Sequence, residues 1–137
     1  ADLLVVLQQI KQLYDFELLT ELESLAVEID VSQFEQVIIN LLKNAEQANT
    51  EQGSAERPTV LVAKERDSAI IKVQDTGPGM SQASLTKAFL PYYSTKAEGS
   101  GIGLSICRDV IEAHQGTIEL SNRQPTGLDV KLTLPID

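Results

Sequence analysis

Residues 75–104 decide the reading. They run from Asp75-Thr76-Gly77-Pro78-Gly79-Met80, through Phe89-Leu90-Pro91-Tyr92-Tyr93-Ser94-Thr95-Lys96, to Gly99-Ser100-Gly101-Ile102-Gly103-Leu104. Glycines set so densely are costly unless the backbone turns sharply or approaches a ligand closely. The second cluster leads straight into a helical pattern, so a helix N-terminus emerges from it with unpaired N–H groups and a positive dipole end. The first expectation is a phosphate-bearing ligand held between the two clusters.

Composition limits what else the chain can be. Its 137 residues, 42% of them hydrophobic, suffice for one domain with a real core. A formal net charge of -9 argues against nucleic acid and against direct contact with an anionic membrane. It also requires a polyphosphate binder to place its donors locally and to use a metal ion. The single cysteine, Cys107, forms no internal disulfide and fits a reducing compartment, the cytoplasm. No apolar run reaches the ~20 residues of a membrane span. The N-terminus has no signal-peptide pattern and no initiator methionine, so the chain reads as an excised fragment whose parent is open to membrane anchorage.

Outward from the glycine clusters, the periodicities assemble an α+β fold. Asp2–Tyr14 has the spacing of one helix face, with Asp2 as N-cap. The segment Phe16–Ile29 reads as one or two edge strands. Ser32-Gln33-Phe34-Glu35 forms a capping box for a helix running to about Asn49, with an apolar stripe at Phe34, Val37, Ile38, Leu41, Leu42, Ala45 and Ala48. Thr59–Glu65 and Ala69–Asp75 pair as a hairpin. Ser81 caps a short helix to Phe89. Leu104, Cys107, Val110, Ile111 and His114 line the last helix, closed by Gly116. The strand Thr117–Ser121, a turn at Arg123–Gly127 and an alternating strand from Leu128 to Leu134 complete the chain. The expected architecture is a two-layer α/β sandwich, a mixed and mostly antiparallel sheet on about three helices.

Three groups of residues carry chemistry. Asn40 and Asn44, four residues apart, lie on one side of a helix. Their carbonyl oxygens suit a hard cation shared with phosphates, although such a pair equally suits solvated or inter-helix amides. Asp75 at a strand end can accept a hydrogen bond from an exocyclic amine, while Gly77 and Gly79 let the chain close around a flat ring. An ordinary turn would use the same residues. Gly99, Gly101 and Gly103 match neither the Walker loop nor the dinucleotide fingerprint.

In order and spacing, these groups resemble the ATP-binding catalytic domain of sensor histidine kinases, in the GHKL (Bergerat-type) superfamily. Gln36–Ala45 is similar to its N box, Asp75–Met80 to its first glycine box, Phe89–Lys96 to its F box, and Gly99–Leu104 to its second glycine box. The resemblance implies ATP and Mg²⁺ as ligands. Asn44 would hold Mg²⁺, with Asn40 supporting phosphate or metal and Lys43 and Gln47 nearby. Asp75 would receive the adenine amino group, with Gly77, Gly79 and Met80 around the base. Phe89 to Ser100 would form a short lid of the nitrogen-regulation type. There Ser94, Thr95 and above all Lys96 would reach phosphate, while Gly99, Ser100, Gly101, Ile102, Gly103 and Leu104 open the helix behind it.

Departures from the pattern bear on mechanism. Gln47 and Ala48 stand where many relatives carry a basic or tyrosine residue, Leu90 where an acid is frequent, and Asp129 where threonine is. Hydrolysing members place a glutamate base one helical turn before the metal-binding asparagine. Here that position is Asn40, which favours transfer of the γ-phosphoryl group to a protein over an ATPase clamp, with a regulatory nucleotide module as the remaining alternative. His114 lies at the helix end away from the phosphates and suits packing or capping. The acceptor histidine would sit on a separate dimerisation domain of a homodimeric parent, with a response regulator downstream. By itself the fragment would bind ATP without completing autophosphorylation.

Overall fold

The computed structural model describes residues 1–90 and 103–136, and within them the expected α+β sandwich is present. Helix α1 spans Leu3–Lys11 and buries Leu3, Leu4, Val6, Leu7 and Ile10. Asp2 caps it as expected, taking the N–H of Leu4 at 3.0 Å and that of Leu25 at 3.2 Å. The helix stops short of Tyr14, and Leu13 is 81% exposed. Strand β1, Glu17–Thr20, is the expected edge strand. The second candidate, Leu25 to Val27, makes only the isolated bridges Asp2–Ala26 and Val27–Ile136.

Helix α2, Val31–Glu51, is capped by Asp30 and not by Ser32: Asp30 Oδ1 accepts the Gln33 N–H at 3.0 Å. Two overlapping boxes compete here, and apolar spacing decides between them. With Asp30 as cap, the staple positions hold Ile29 and Phe34, which both join the core. With Ser32 as cap they would hold Val31, which is exposed, and polar Gln36.

Strands β2 (Thr59–Glu65) and β3 (Ser68–Gln74) form the hairpin. Helix α3 (Gln82–Lys87) is capped by Ser81, and helix α4 (Gly103–Ala113) precedes β4 (Thr117–Asn122) and β5 (Leu128–Pro135). The residue with left-handed backbone after α4 is Gln115, φ 63°, rather than Gly116. Gly116 is needed for space instead, since a Cβ there would collide with the Thr133 carbonyl oxygen and the Leu134 side chain.

The sheet order is β1-β2-β3-β5-β4, parallel between β1 and β2 and antiparallel elsewhere. Cross-strand rows give it two unlike faces. Leu18–Val60–Val73–Val130–Leu120 and Thr20–Val62–Ile71–Leu132–Ile118 point to the helices. Leu19–Leu61–Lys72–Lys131–Glu119 and Glu17–Thr59–Gln74–Asp129–Ser121 form the other face, as a sheet with one solvated side requires. Helix α2 touches α1, α4 and β3, and α4 also rests on β4.

Replacing Asp30 with alanine is expected to cost about 1 kcal/mol, and Ser32→Ala within about 0.5 kcal/mol, in urea denaturation. The reverse order would return the cap to Ser32.

Candidate functional site

Asp75 follows the last residue of β3 and is 6% exposed. Its Oδ1 accepts two backbone N–H groups, from Gly77 at 2.9 Å and from Leu128 at 3.0 Å. Its own N–H donates to the Leu128 carbonyl at 3.1 Å, and its carbonyl takes Arg123 Nη1 at 2.6 Å. The carboxylate orientation is therefore set by main chain on both sides.

The two glycines that follow serve the protein itself. A Cβ on Gly77 would lie 2.6 Å from Ala48 Cβ and 2.8 Å from the Ala48 carbonyl carbon and oxygen, so this loop rests directly on the α2 backbone. Gly79 adopts φ 75° beside Asn122, a conformation L side chains rarely take. Next to it, the Asn122 amide holds both backbone groups of Met80: Oδ1 accepts its N–H at 2.8 Å and Nδ2 donates to its carbonyl at 2.7 Å. Thr126 Oγ1 donates to the Gly77 carbonyl at 2.6 Å.

Helix α2 brings Asn40, Asn44 and Gln47 to half-buried positions, while Lys43 points to solvent. Ala48, one turn beyond Asn44, is the seat of Gly77, so the Asp75 loop rests on the same helix that carries Asn40 and Asn44. Asn40 faces α4, where its side chain hydrogen-bonds Cys107. Among the described residues no three His, Cys, Asp or Glu side chains converge, so a divalent cation has no protein cage there. Amide oxygens on α2 suit a hard cation that arrives already bound to phosphates.

From α4, Gly103 and Leu104 are half-buried at the helix start, and a Cβ on Gly103 would meet open space. The Arg108 guanidinium carbon lies 5.4 Å from the Phe89 ring centroid, a cation–π contact that ties the end of the α3 segment to α4. His114 Nδ1 bonds the Val110 carbonyl at 2.8 Å, and its Nε2 accepts the Asp30 N–H at 2.9 Å. That joins the end of α4 to the start of α2, as the capping role requires. Ser94, Thr95, Lys96, Gly99, Ser100, Gly101 and Ile102, with the lid assigned to them, lie outside the described residues.

Two groups of positioning residues escaped the sequence reading. Asn49 is 2% exposed and takes the Thr76 N–H at 2.6 Å and the Thr76 hydroxyl at 3.2 Å, while donating to the Glu56 carbonyl at 2.9 Å. The signal was there: Asn49 falls four residues after Ala45 and seven after Leu42, on the apolar stripe. Asn122, Arg123 and Thr126 carried no such signal, because they occupy what reads as a plain turn. Asp129, counted as a departure, bonds Gln74 on the outer face of the sheet at 3.4 Å. The β5 residue that touches the site is Leu128, through its backbone.

Residues 29–137 match the family described as histidine kinase-, DNA gyrase B-, and HSP90-like ATPase. The chain belongs to that family. It is 38% identical over 111 residues to the C4-dicarboxylate transport sensor protein DctS of Rhodobacter capsulatus, covering 80% of this chain and 17% of that protein. To sporulation kinase C of Bacillus subtilis it is 36% identical over 107 residues, covering 78% and 24%. The chain thus spans under a quarter of the length of these relatives. The solved catalytic domain of histidine kinase ThkA is similar at a TM-score of 0.87 and 30% identity, covering 99% of this chain and 93% of that one. ThkA in complex with the response regulator protein TrrA gives a TM-score of 0.84 at 28% identity, covering 100% and 41%. This chain is a domain of the type found in sensor histidine kinases.

In this domain Cys107 is fully buried. Burial pushes its thiol up from 9.0 to about 11, against a smaller opposing effect of the Asn40 hydrogen bond. The unfolded chain then releases the thiol proton first, so stability falls as pH rises from 9.0 to about 11. Urea melts across that window are expected to show about 2–3 kcal/mol more loss for the wild type than for Cys107→Ala. Parallel curves would refute the assignment.

Proposed function

We propose that this domain binds Mg-ATP and donates the γ-phosphoryl group to a histidine on a separate dimerisation domain of its parent sensor kinase. The observation that carries the reading is the buried Asp75, whose carboxylate is oriented by the Gly77 and Leu128 N–H groups. A fixed acceptor of that kind suits the exocyclic amine of adenine. The same carboxylate disfavours a 6-oxo purine, which would oppose it with a second acceptor.

The triphosphate would run from the Asp75 loop along α2 toward the start of α4. Asn44 offers its amide oxygen to the metal, and Asn40, held against Cys107, lines the same helix face. Bound Mg²⁺ would neutralise charge on the β- and γ-phosphates. Lys96 and the glycines that precede α4 supply further donors in this reading, the helix N-terminus being a favourable place for an anion. Catalysis then consists of positioning and electrostatics. Asn40 stands where a hydrolysing relative needs a carboxylate, and an amide cannot act as a base. Phosphotransfer is therefore preferred over a clamp ATPase.

The parent works as a homodimer that supplies the acceptor histidine and passes the phosphoryl group to a response regulator. The domain itself acts in the cytoplasm, where ATP is available and Cys107 stays reduced.

Mixed with labelled ATP, Mg²⁺ and the parent's dimerisation domain, the chain is expected to label a histidine there. Steady phosphate release without that partner would favour a clamp ATPase, and binding without transfer a regulatory module. Asn44→Ala is expected to weaken Mg-ATP binding about tenfold or more in calorimetry, the loss of a metal-ligand contact. Retention of full Mg-ATP affinity would remove Asn44 from the metal site.

A further inference from the structure

The end of β4, the loop that follows it and the start of β5 reach the Asp75 segment at several points. Asn122 pairs with both backbone groups of Met80, Arg123 donates to the Asp75 carbonyl, and Thr126 donates to the Gly77 carbonyl. Gly127 packs so closely on the Asp75 carbonyl oxygen that no side chain fits at that position. Leu128 follows with its N–H on Asp75 Oδ1.

These contacts share a chemical character. Each side chain places polar atoms on main-chain groups of a segment with glycines at 77 and 79, which Asn49 and the α2 backbone secure from the other side. Arg123, in a chain of net charge -9, directs its guanidinium to a backbone carbonyl. Asn122 lies on the surface, yet its amide makes the two-point contact that a paired strand would make. A glycine-containing loop left free would have to be ordered by its ligand, which costs affinity, whereas one fixed in advance does not. Hydrogen-bond recognition of a base also needs its acceptor held to within about 0.5 Å.

We propose that Asn122, Arg123 and Thr126 are positioning residues that hold the Asp75 loop in its base-reading conformation and so set selectivity for a 6-amino purine over a 6-oxo purine. This rests on the Mg-ATP reading above. The three residues bond main-chain groups of the loop, so in this reading they act through Asp75. Selectivity should therefore respond to them while binding of the phosphates does not.

The test uses the 137-residue chain, with Mg-ATP, Mg-GTP and Mg-tripolyphosphate titrated calorimetrically and thermal melts run on the same samples. Thr126→Val and Asn122→Ala are each expected to raise the Kd for ATP about tenfold, the effect of one well-made hydrogen bond or pair. The Kd values for GTP and tripolyphosphate should stay within about twofold. Thr126→Ser keeps the hydroxyl and should retain wild-type selectivity, which guards against a valine variant that merely folds poorly. Equal weakening of all three ligands in step with the melting temperature would overturn the proposal. So would an unchanged ATP Kd in a folded Asn122→Ala. A wild-type chain that binds no ATP would overturn the Mg-ATP reading itself, a result distinct from either of these.

Discussion

One carboxylate oxygen, Asp75 Oδ1, joins the N–H groups of Gly77 and Leu128 and thereby ties the end of β3 to the beginning of β5. The site depends on that junction. It fixes where β3 stops pairing and turns the chain toward α2. Gly77 is thereby brought onto the backbone of Ala48, where only a glycine fits. From there Asn49 secures the next residue, Thr76, from the helix side. A buried carboxylate is tolerable only when hydrogen-bonded, and in the proposed complex the same oriented group would also meet the base.

Around this junction the two layers divide their work. The sheet supplies a continuous apolar face and leaves charge, including Lys72, Lys131 and Glu119, on the other. The helical layer supplies polar side chains: Asn40 and Asn44 on α2, Arg108 on α4 and His114 just beyond it. Cys107 closes the seam between α2 and α4, with its thiol 3.9 Å from the Val37 carbonyl.

Much of this was legible in the residues. The alternation of Leu128, Val130, Leu132 and Leu134 gave β5 its inward face, and the α2 stripe identified a long core helix. Two boundaries shifted because local signals competed. The α2 cap moved to Asp30 for the sake of the Ile29–Phe34 staple, and α1 ended before Leu13. The Leu25–Val27 strand reduced to bridges because each of its two neighbours meets it at a single residue. In the candidate site, the residues proposed to meet a ligand stood out by type and spacing. Those that hold other residues in place, Asn49, Asn122, Arg123 and Thr126, act through contacts 27 to 49 positions apart in sequence, and no local pattern records these. Gly77 and Gly79 were legible as unusual, but both have reasons within the protein.

The His114–Asp30 contact has a mechanical consequence. It pins the C-terminal end of α4 to the N-terminal end of α2, and Cys107 lies on Val37 and Asn40 further along. The two helices therefore run antiparallel and are held together at two places, with Gly103 at the far end of α4. At 1.5 Å per residue, the stretch of α4 from Cys107 to Gly103 is only about 6 Å long. A rotation of about 5° about Cys107 would move its tip by about 0.5 Å, less than the difference between a made and a broken hydrogen bond. The double attachment thereby holds the start of α4 at a set distance from α2, the helix that carries Asn40 and Asn44.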